Sequence, residues 1–507
     1  MNKLRLVSLL IVSMSASTVL AEYNLASSRR INWYPAGMDV VGGIPTVFAV
    51  TQAIAGLTYD GSVNGTAIIN AAIAAASSNT LLPIGAGTVL VSGDISMKNG
   101  VTLRGAKKSV APWLPTNDAS ATTLVMGGKV FFRGGDRATA WYPGIQSGTS
   151  ITAGYTQGST SLTVSSASGY ATNDIIAVYQ NEDTAWIDDN NETWLGEDSG
   201  SDPHVWCQYT KITGISGTTI VIDPPLYQVT PSPTGQSIRK QTFTVAGAGL
   251  ENLRLQGNGG NVKMIWMQFT KHCWVKGVET YNVGAVSSGS PHIWCEFSYG
   301  NEFRDGYHHK GAGNDSGANY GIEFYHWNSR HKVENNIIRE CRHSIVFEGG
   351  GSGCVVLYNY TDDNWESVQG SPTVRDNSIL SEDMTVNHGS HPYMNLVEGN
   401  SVTCIWSDYT HGSASHNTVM RNSVRGYRST MPLSSPWLYI MVEVETRNRY
   451  ENFIGNILGN PNMTSGTVVD NNSGGSNPRM YRFGVSSSGG SYTDSQSYST
   501  AILQGNY

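Results

Sequence analysis

Three short runs in the second half of this 507-residue chain each carry, at the end of an apolar stretch, a side chain that can move protons: Ile345-Val346-Phe347-Glu348, Thr385-Val386-Asn387-His388 and Ile405-Trp406-Ser407-Asp408. Carboxylates and imidazoles perform general acid–base chemistry, and they do so together only when held within reach of one another. These three lie far apart in sequence, so the chain must stack to unite them. A second motif shows how. An apolar residue followed three positions later by Asn recurs as Leu255/Asn258, Val333/Asn336, Val356/Asn359, Val397/Asn400, Val419/Asn422 and Phe453/Asn456, with Val275/Val278 and Phe303/Gly306 in the same frame. Val397 and Val419 are 22 residues apart, one turn of a large coil, and the intervals along the series run from 20 to 41 residues. The excess belongs in one variable loop per coil. Asn and Gly tolerate the left-handed backbone of a tight turn, and stacked Asn amides can bond along a column. The pattern predicts an all-β chain wound as a right-handed parallel β-helix.

The rest of the chain fits that frame. Lys3 and Arg5 precede an apolar core from Leu6 to Met14, and Val19-Leu20-Ala21 supplies small residues for cleavage, so residues 1–21 read as a secretory signal. The expected product is a secreted monomer, extracellular or periplasmic, with no membrane span. A net charge of −7 with 14% charged residues lacks the basic stripe of a nucleic-acid binder. The six cysteines (207, 273, 295, 341, 354 and 404) keep no metal-ligand spacing and suit either one disulfide or buried free thiols.

Helical spacing over Ala67–Ala76 predicts an amphipathic helix that caps the open end of the coil, followed by short strands at Leu82–Val91, Ile95 and Val101–Gly105 within a first region spanning 22–145. Residues 111–145 are Gly-rich. Alternating strands at Ser161–Val164, Asp174–Tyr179 and Thr219–Ile222 predict an inserted antiparallel β subdomain over 146–240, whose acidic, Trp-bearing loop 183–202 either overhangs a groove or is solvated. Regular coils occupy 241–460. The Ser/Gly-rich tail 461–507 reads as one closing strand at Met480–Phe483 with loop over Ser486–Ser499.

The stretch from Tyr59 through Leu103-Arg104-Gly105, and the coils after Gly249, resemble the pectate-lyase superfamily in its polygalacturonase-related branch. The resemblance covers more than half the chain and implies a fold with three strands per coil, in which the strand after the long loop lines a groove for polysaccharide. It does not reach the reaction: the polygalacturonase signatures and the Arg-centred pattern of true pectate lyases are absent.

Set out coil by coil, that strand reads Ile265-Trp-Met-Gln268, Ile293-Trp-Cys-Glu296, Ile322-Glu-Phe-Tyr325, Ile345-Val-Phe-Glu348, Thr385-Val-Asn-His388, Ile405-Trp-Ser-Asp408 and Ile440-Met-Val-Glu443. With a period of two, the first and third positions face inward and the second and fourth outward. The outward row then carries Gln268, Glu296, Tyr325, Glu348, His388, Asp408 and Glu443, flanked by Trp266, Trp294, Glu323 and Trp406. Such rows suit sugars, with aromatic faces for the rings and titratable groups for protons. Glu348 and Asp408 are expected two rungs apart, about 9–10 Å between backbones at ~4.8 Å per rung. That suits the roughly 6.5–9.5 Å carboxyl separation of an inverting glycosidase. One of them is then the acid and the other the base, with His388 between. Glu296, Glu323, Tyr325, Trp294, Trp406, Arg342, His391 and His411 are the candidate substrate contacts, Arg342 for an acidic sugar. A β-eliminating polysaccharide lyase using Tyr325, His388 and Arg342, and a non-catalytic adhesin, are the competing readings. No cofactor is called for; His388 and His411 lack a clear third metal ligand, and Asp362-Asp363 is either a Ca²⁺ pair or solvated charge. His331 and His416 fit core positions.

Overall fold

The computed structural model describes residues 25–106, 120–133, 148–181, 183, 206–258, 263–284, 290–314, 317–368, 371–376, 381–430, 440–459, 467–470, 479–485 and 494–506. The signal at 1–21, most of the Gly-rich stretch 111–145 and the loop 183–202 beyond Asp183 lie outside these residues. Three parallel sheets of twelve, eleven and fourteen strands run along the molecule, and the regular coils add a strand to each, with a second short strand in the fourteen-stranded sheet on some of them. This is the expected parallel β-helix, right-handed as parallel crossovers are.

Helix α1 (Thr66–Ala75) buries Ile69 and Ile73 against the first coils and closes that end. The strands of the fourteen-stranded sheet that matter below are β1 (Ile265–Gln268), β2 (Ile293–Glu296), β3 (Ile322–Ser329), β4 (Ile345–Ser352), β5 (Met384–Gly389), β6 (Ile405–His411), β7 (Ile440–Val444) and β8 (Arg479–Phe483). Their register stacks Ile265, Ile293, Ile322, Ile345, Met384, Ile405, Val442 and Tyr481 in one buried column. Phe324 stacks on Phe347 at 5.0 Å beside it. Each buried aliphatic side chain contributes about 1.5–3 kcal/mol of burial, so slipping one strand by a residue would exchange this column for the polar row and cost many times that.

Two strands differ from the expected frame. Met384, not Thr385, occupies the inward position of β5, and Thr385 pairs outward with Val346 and Trp406. An extra residue, Val386, then bulges the strand so that Asn387 aligns with Ser407, which returns His388 to the outer face beside Asp408. Asn387 locks the bulge by donating to Asp408 O, Gly412 O and Asn448 Oδ1. In β7 Val442 takes the inward position, so Glu443 lies beside Trp406 and Glu445 follows Val444, the partner of Ser407.

The Asn turns form a continuous ladder. Asn336, Asn359, Asn400, Asn422 and Asn456 each donate both backbone N–H and side-chain amide to the Oδ1 of the next Asn, ending on Asn506. The tail is more ordered than its composition suggests: helix α2 (Ser495–Ser499) packs Tyr498 on Phe483, and Ile502–Gln504 is the last strand of the twelve-stranded sheet. The inserted strands, running from Thr149–Ala153 to Ser237–Lys240, close into a six-stranded antiparallel barrel with its own core around Leu162, Ile176, Ile212 and Ile222. The barrel docks on the coils through Tyr209, Tyr179 and Trp327 and through Trp206 stacked on Tyr393 at 4.1 Å. All six cysteines are buried free thiols, which resolves the disulfide alternative against pairing.

The ladder carries a measurable load. Asn400→Ala strands the buried Asn359 N–H and amide donors on the preceding coil, takes a donor from Val356 O and Asn422 Oδ1, and should destabilise the chain by about 2–4 kcal/mol, whereas Asn506→Ala at the last, half-buried rung should cost about 1 kcal/mol. Denaturation midpoints check the ranking; equal shifts for the two variants would refute it.

Candidate active site on the fourteen-stranded sheet

The outer face of β1–β8 gathers most of the candidate residues, and they are far less exposed than a solvated surface would be. Glu323 is 2% exposed, Glu348 7%, His388 6% and Asp408 1%. Buried ionisable groups are expensive unless paired, and the pairings here are specific.

At one end Trp266 Nε1 donates to Glu296 Oε1 at 2.7 Å, and His326 Nδ1 lies 3.5 Å from Glu296 Oε2. Glu296 is therefore fully engaged in holding the aromatic wall. Trp294 packs on Tyr325 at 4.3 Å, and Lys263 Nζ sits 3.6 Å above the Trp294 ring. One rung further, Glu323 and Glu348 face each other from β3 and β4. Burial, then the charge of Glu348 and a hydrogen bond to it, push the Glu323 carboxyl well above the usual range, so the pair holds a proton.

Next comes the reverse case. His388 Nδ1 and Asp408 Oδ2 are 2.7 Å apart, and Asp408 Oδ1 accepts from Thr410 N at 2.8 Å. Burial alone would raise the Asp408 carboxyl, but His388, the Thr410 amide and a hydrogen bond from Glu382 outweigh it and hold Asp408 below its usual value. Burial alone would also lower His388; the charge and hydrogen bond of Asp408, with Glu348 behind, raise it instead. Glu382, half-buried beside Asp408, is pushed well above the carboxylate range by desolvation and by Asp408, as is Glu445 by burial and by Glu443 and Asp408. Carboxyls with opposed proton affinities thus sit on neighbouring rungs, the pattern of acid and base assigned by environment. Two unpartnered indole N–H groups, of Trp294 and Trp406, and Gln268 Oε1 lie on the same face.

Other candidates resolve differently. His411 joins the site, its ring 4.9 Å from and perpendicular to His388. Glu348 supplies the third ligand that the two histidines lacked: one donor atom from each of Glu348, His388 and His411 lies within 4.8 Å of the others, and Glu382, His388 and Asp408 form a second such group. Arg342 stands at the margin, donating to Tyr320 Oη at 2.8 Å and paired with Glu366 at 3.0 Å. His391 does not reach the face. It is buried under Trp206 in the seam with the barrel, between Ser413 Oγ and Ser415 Oγ, and burial lowers it to about 3. Asp362 and Asp363 are neither solvated nor an open Ca²⁺ pair: Asp363 binds Arg375 at 2.6 Å and Asp362 accepts from Ser429 N. His331 stacks on Phe324 in the core, and His416 is buried near Gln228, as expected.

The sequence pattern missed Tyr320, His343 and Glu382, which surround His388: Tyr320 lies 6.3 Å and His343 5.6 Å from its ring, and Glu382 bonds Asp408. Each stands two residues before the first inward apolar residue of its strand, in the turn leading in, where strand alternation does not apply.

No protein-family model and no curated protein matches the chain. Among solved structures it is similar to the tailspike of Acinetobacter baumannii bacteriophage AP22, determined in complex with an A. baumannii capsular saccharide, at 10% identity and a TM-score of 0.50. That match covers 81% of this chain and 58% of the tailspike's length. It is also similar to the tailspike of Pseudomonas phage LKA1 (11% identity, TM-score 0.44, covering 87% of this chain and 74% of that one). A third is the Azotobacter vinelandii mannuronan C-5 epimerase AlgE4 A-module (12%, 0.40, 90% and 97%). At such identities the likeness concerns the fold, a right-handed parallel β-helix of pectate-lyase-like architecture.

The buried Glu323 proton has a signature in stability. Its folded pKa lies above the usual 4.5, so the associated stability is complete below that value and is lost as pH rises through the folded pKa. Glu323→Gln, which mimics the protonated form, should leave the melting temperature unchanged near pH 4 and raise it near pH 8. A fall near pH 8 would mean that the charged form is the one the fold prefers.

Proposed function

We propose that this chain is a polysaccharide-active enzyme that hydrolyses glycosidic bonds by acid–base catalysis on the outer face of the fourteen-stranded sheet. The observation that carries the reading is the juxtaposition of two buried carboxyls, Glu323 and Glu348, with the hydrogen-bonded His388–Asp408 pair on the next rungs. The saccharide held by the AP22 tailspike, on the same fold, supports the choice of ligand class.

In this mechanism the Glu323–Glu348 pair donates its proton to the leaving glycosidic oxygen. His388 Nε2 takes a proton from a water that attacks the anomeric carbon, giving inversion. The base is therefore His388 and not Asp408, because both Asp408 oxygens are already engaged, by His388 and by Thr410 N. Asp408 is a positioning residue that fixes the imidazole tautomer and stabilises the imidazolium. Glu348 stays in the acid role, two rungs from Asp408 as the coil stacking requires. Trp294, Tyr325 and Trp406 offer rings and indole N–H groups to the sugar.

An acidic ring at the point of cleavage would set its charge against Glu348 and Asp408 on the buried face, so an uncharged ring is favoured over an acidic one. Of the cations, Arg482 and Arg342 are taken by Glu443 and Glu366, and Lys263 lies over the Trp294 ring. That weighs against β-elimination, which needs a cation placed to neutralise a uronate carboxylate.

A panel of neutral, amino and acidic polysaccharides, read for new reducing ends and for ultraviolet-absorbing unsaturated ends, tests this. Reducing ends without absorbance are expected; absorbance would establish a lyase, and binding without turnover an adhesin. Glu323→Gln should lower kcat about 10²–10⁴-fold. Asp408→Asn should lower kcat and move the acidic limb of the pH–rate profile to lower pH, because His388 loses the charge that raises it. An unmoved limb would remove His388 from the role of base.

A further inference from the structure

Away from this face, the seam between the amino-terminal segment, the inserted barrel and the coil turns holds a cavity of about 560 Å³, within the range of small-ligand sites. A second cavity of about 380 Å³ adjoins it, sharing Val41, Lys271 and His272. The larger one is lined by four cations, Arg30, Lys211, Lys271 and Arg330, against one carboxylate, Asp223. They come from different elements: Arg30 from the amino-terminal segment, Lys211 from the barrel strand Cys207–Ser216, Lys271 from the short strand Thr270–Lys271, and Arg330 from the bend after Ile322–Ser329 two coils further on. The fold thus brings like charges together, which is costly without a counter-charge.

The local acids offset it only in part. Asp174, which draws on Lys271, is bound by Lys240 at 2.7 Å. Asp223, the one carboxylate against four cations, is exposed, lies cross-strand from Lys211 and acts on Arg330. Arg330 is fixed in place, donating to Pro35 O and to the Tyr299 hydroxyl. Burial, then the charges of Lys271 and Lys211, lower His272 to about 4. Tyr227, Tyr299, Ile31 and Leu226 add ring-bearing and apolar wall to the lining.

From this convergence of Lys211, Lys271 and Arg330 on a ring-lined cavity, we propose an accessory binding site for a sugar residue bearing a carboxylate or sulfate. The positive charge selects the oxyanion, and the tyrosine walls take the ring. Only the choice of a sugar rests on the polysaccharide reading above; the anion preference stands on the cavity alone. The two sites then read opposite features of a glycan, an uncharged ring at the acidic face and an acidic ring at this seam.

Calorimetric titration of the full chain with glucuronate, sulfate and glucose tests the site. Glucuronate should bind at least about tenfold more tightly than glucose and more tightly than sulfate. The double variant Lys211→Ala/Lys271→Ala should lose at least about tenfold in glucuronate affinity while keeping its melting temperature. In the wild type, ligand should raise the pKa of His272. Glu323→Gln, expected to stop turnover, should bind glucuronate as the wild type does, so loss of the hydrolase reading leaves this result standing. Equal affinity for glucuronate and glucose, or an unaffected double variant, overturns the proposal. Sulfate binding as tightly as glucuronate overturns the part assigned to the ring.

Discussion

In-register stacking of parallel coils is the constraint on which everything else depends. A parallel ladder fixes each strand against its neighbour at about 4.8 Å, so a side chain at a given position of one coil has a defined neighbour on the next. Here two columns enforce that register at different places in each coil: the apolar row from Ile265 to Tyr481 inside the fourteen-stranded sheet, and the Asn amides from Asn336 to Asn506 at the turn between the twelve- and eleven-stranded sheets. Either column alone would tolerate local slippage. Together they make the outer face a surface of known spacing, on which acid–base groups can be set at chosen separations by choosing the rung.

The electrostatics of that face follow from the same geometry. Placing carboxyls on adjacent rungs forces them together whether or not charge favours it, and burial removes the water that would screen them. The chain answers in two ways. At Glu323 and Glu348 it keeps a proton; at Asp408 it inserts an imidazole one rung away. The site is consequently destabilising where it is most useful, and the barrel and amino-terminal segment that pack beside the coils add burial that offsets such strain.

Much of this was legible in the sequence because repetition amplifies weak signals. One apolar residue followed by Asn means little; five in a common frame define turns, and the inward isoleucines follow. Leu255/Asn258 falls out of frame, because Leu255 pairs with Thr280 in the eleven-stranded sheet and Leu250 is the coil mate of Val275. What was hidden is instructive. His388 was placed on the correct face although its strand was framed one residue late, because the Val386 bulge cancels that offset. A bulge breaks the period of two, and nothing in the residues Thr385-Val386-Asn387 announces it. Tyr320, His343 and Glu382 lie in turns, beyond the reach of strand alternation. The carboxyl-terminal strand and its Asn506 rung were masked by Ser and Gly, since the ladder asks only for one apolar residue and one amide in a polar stretch. His391 counts with His411 among the candidate contacts by sequence, yet packing under Trp206, contributed from another part of the chain, decides its environment.

The Asn ladder has a direction. Every rung donates towards the carboxyl terminus: Asn336 to Asn359, Asn359 to Asn400, Asn400 to Asn422, and onward. A coil emerging from the ribosome, or from an export channel, therefore exposes amide donors whose acceptors have not yet been made. Each turn of the molecule is completed only by the next one to arrive, so the growing end always carries one unfinished rung. Vectorial synthesis and the polarity of the ladder run the same way, and the stack can be built as it is delivered, with the newest coil as the only provisional one.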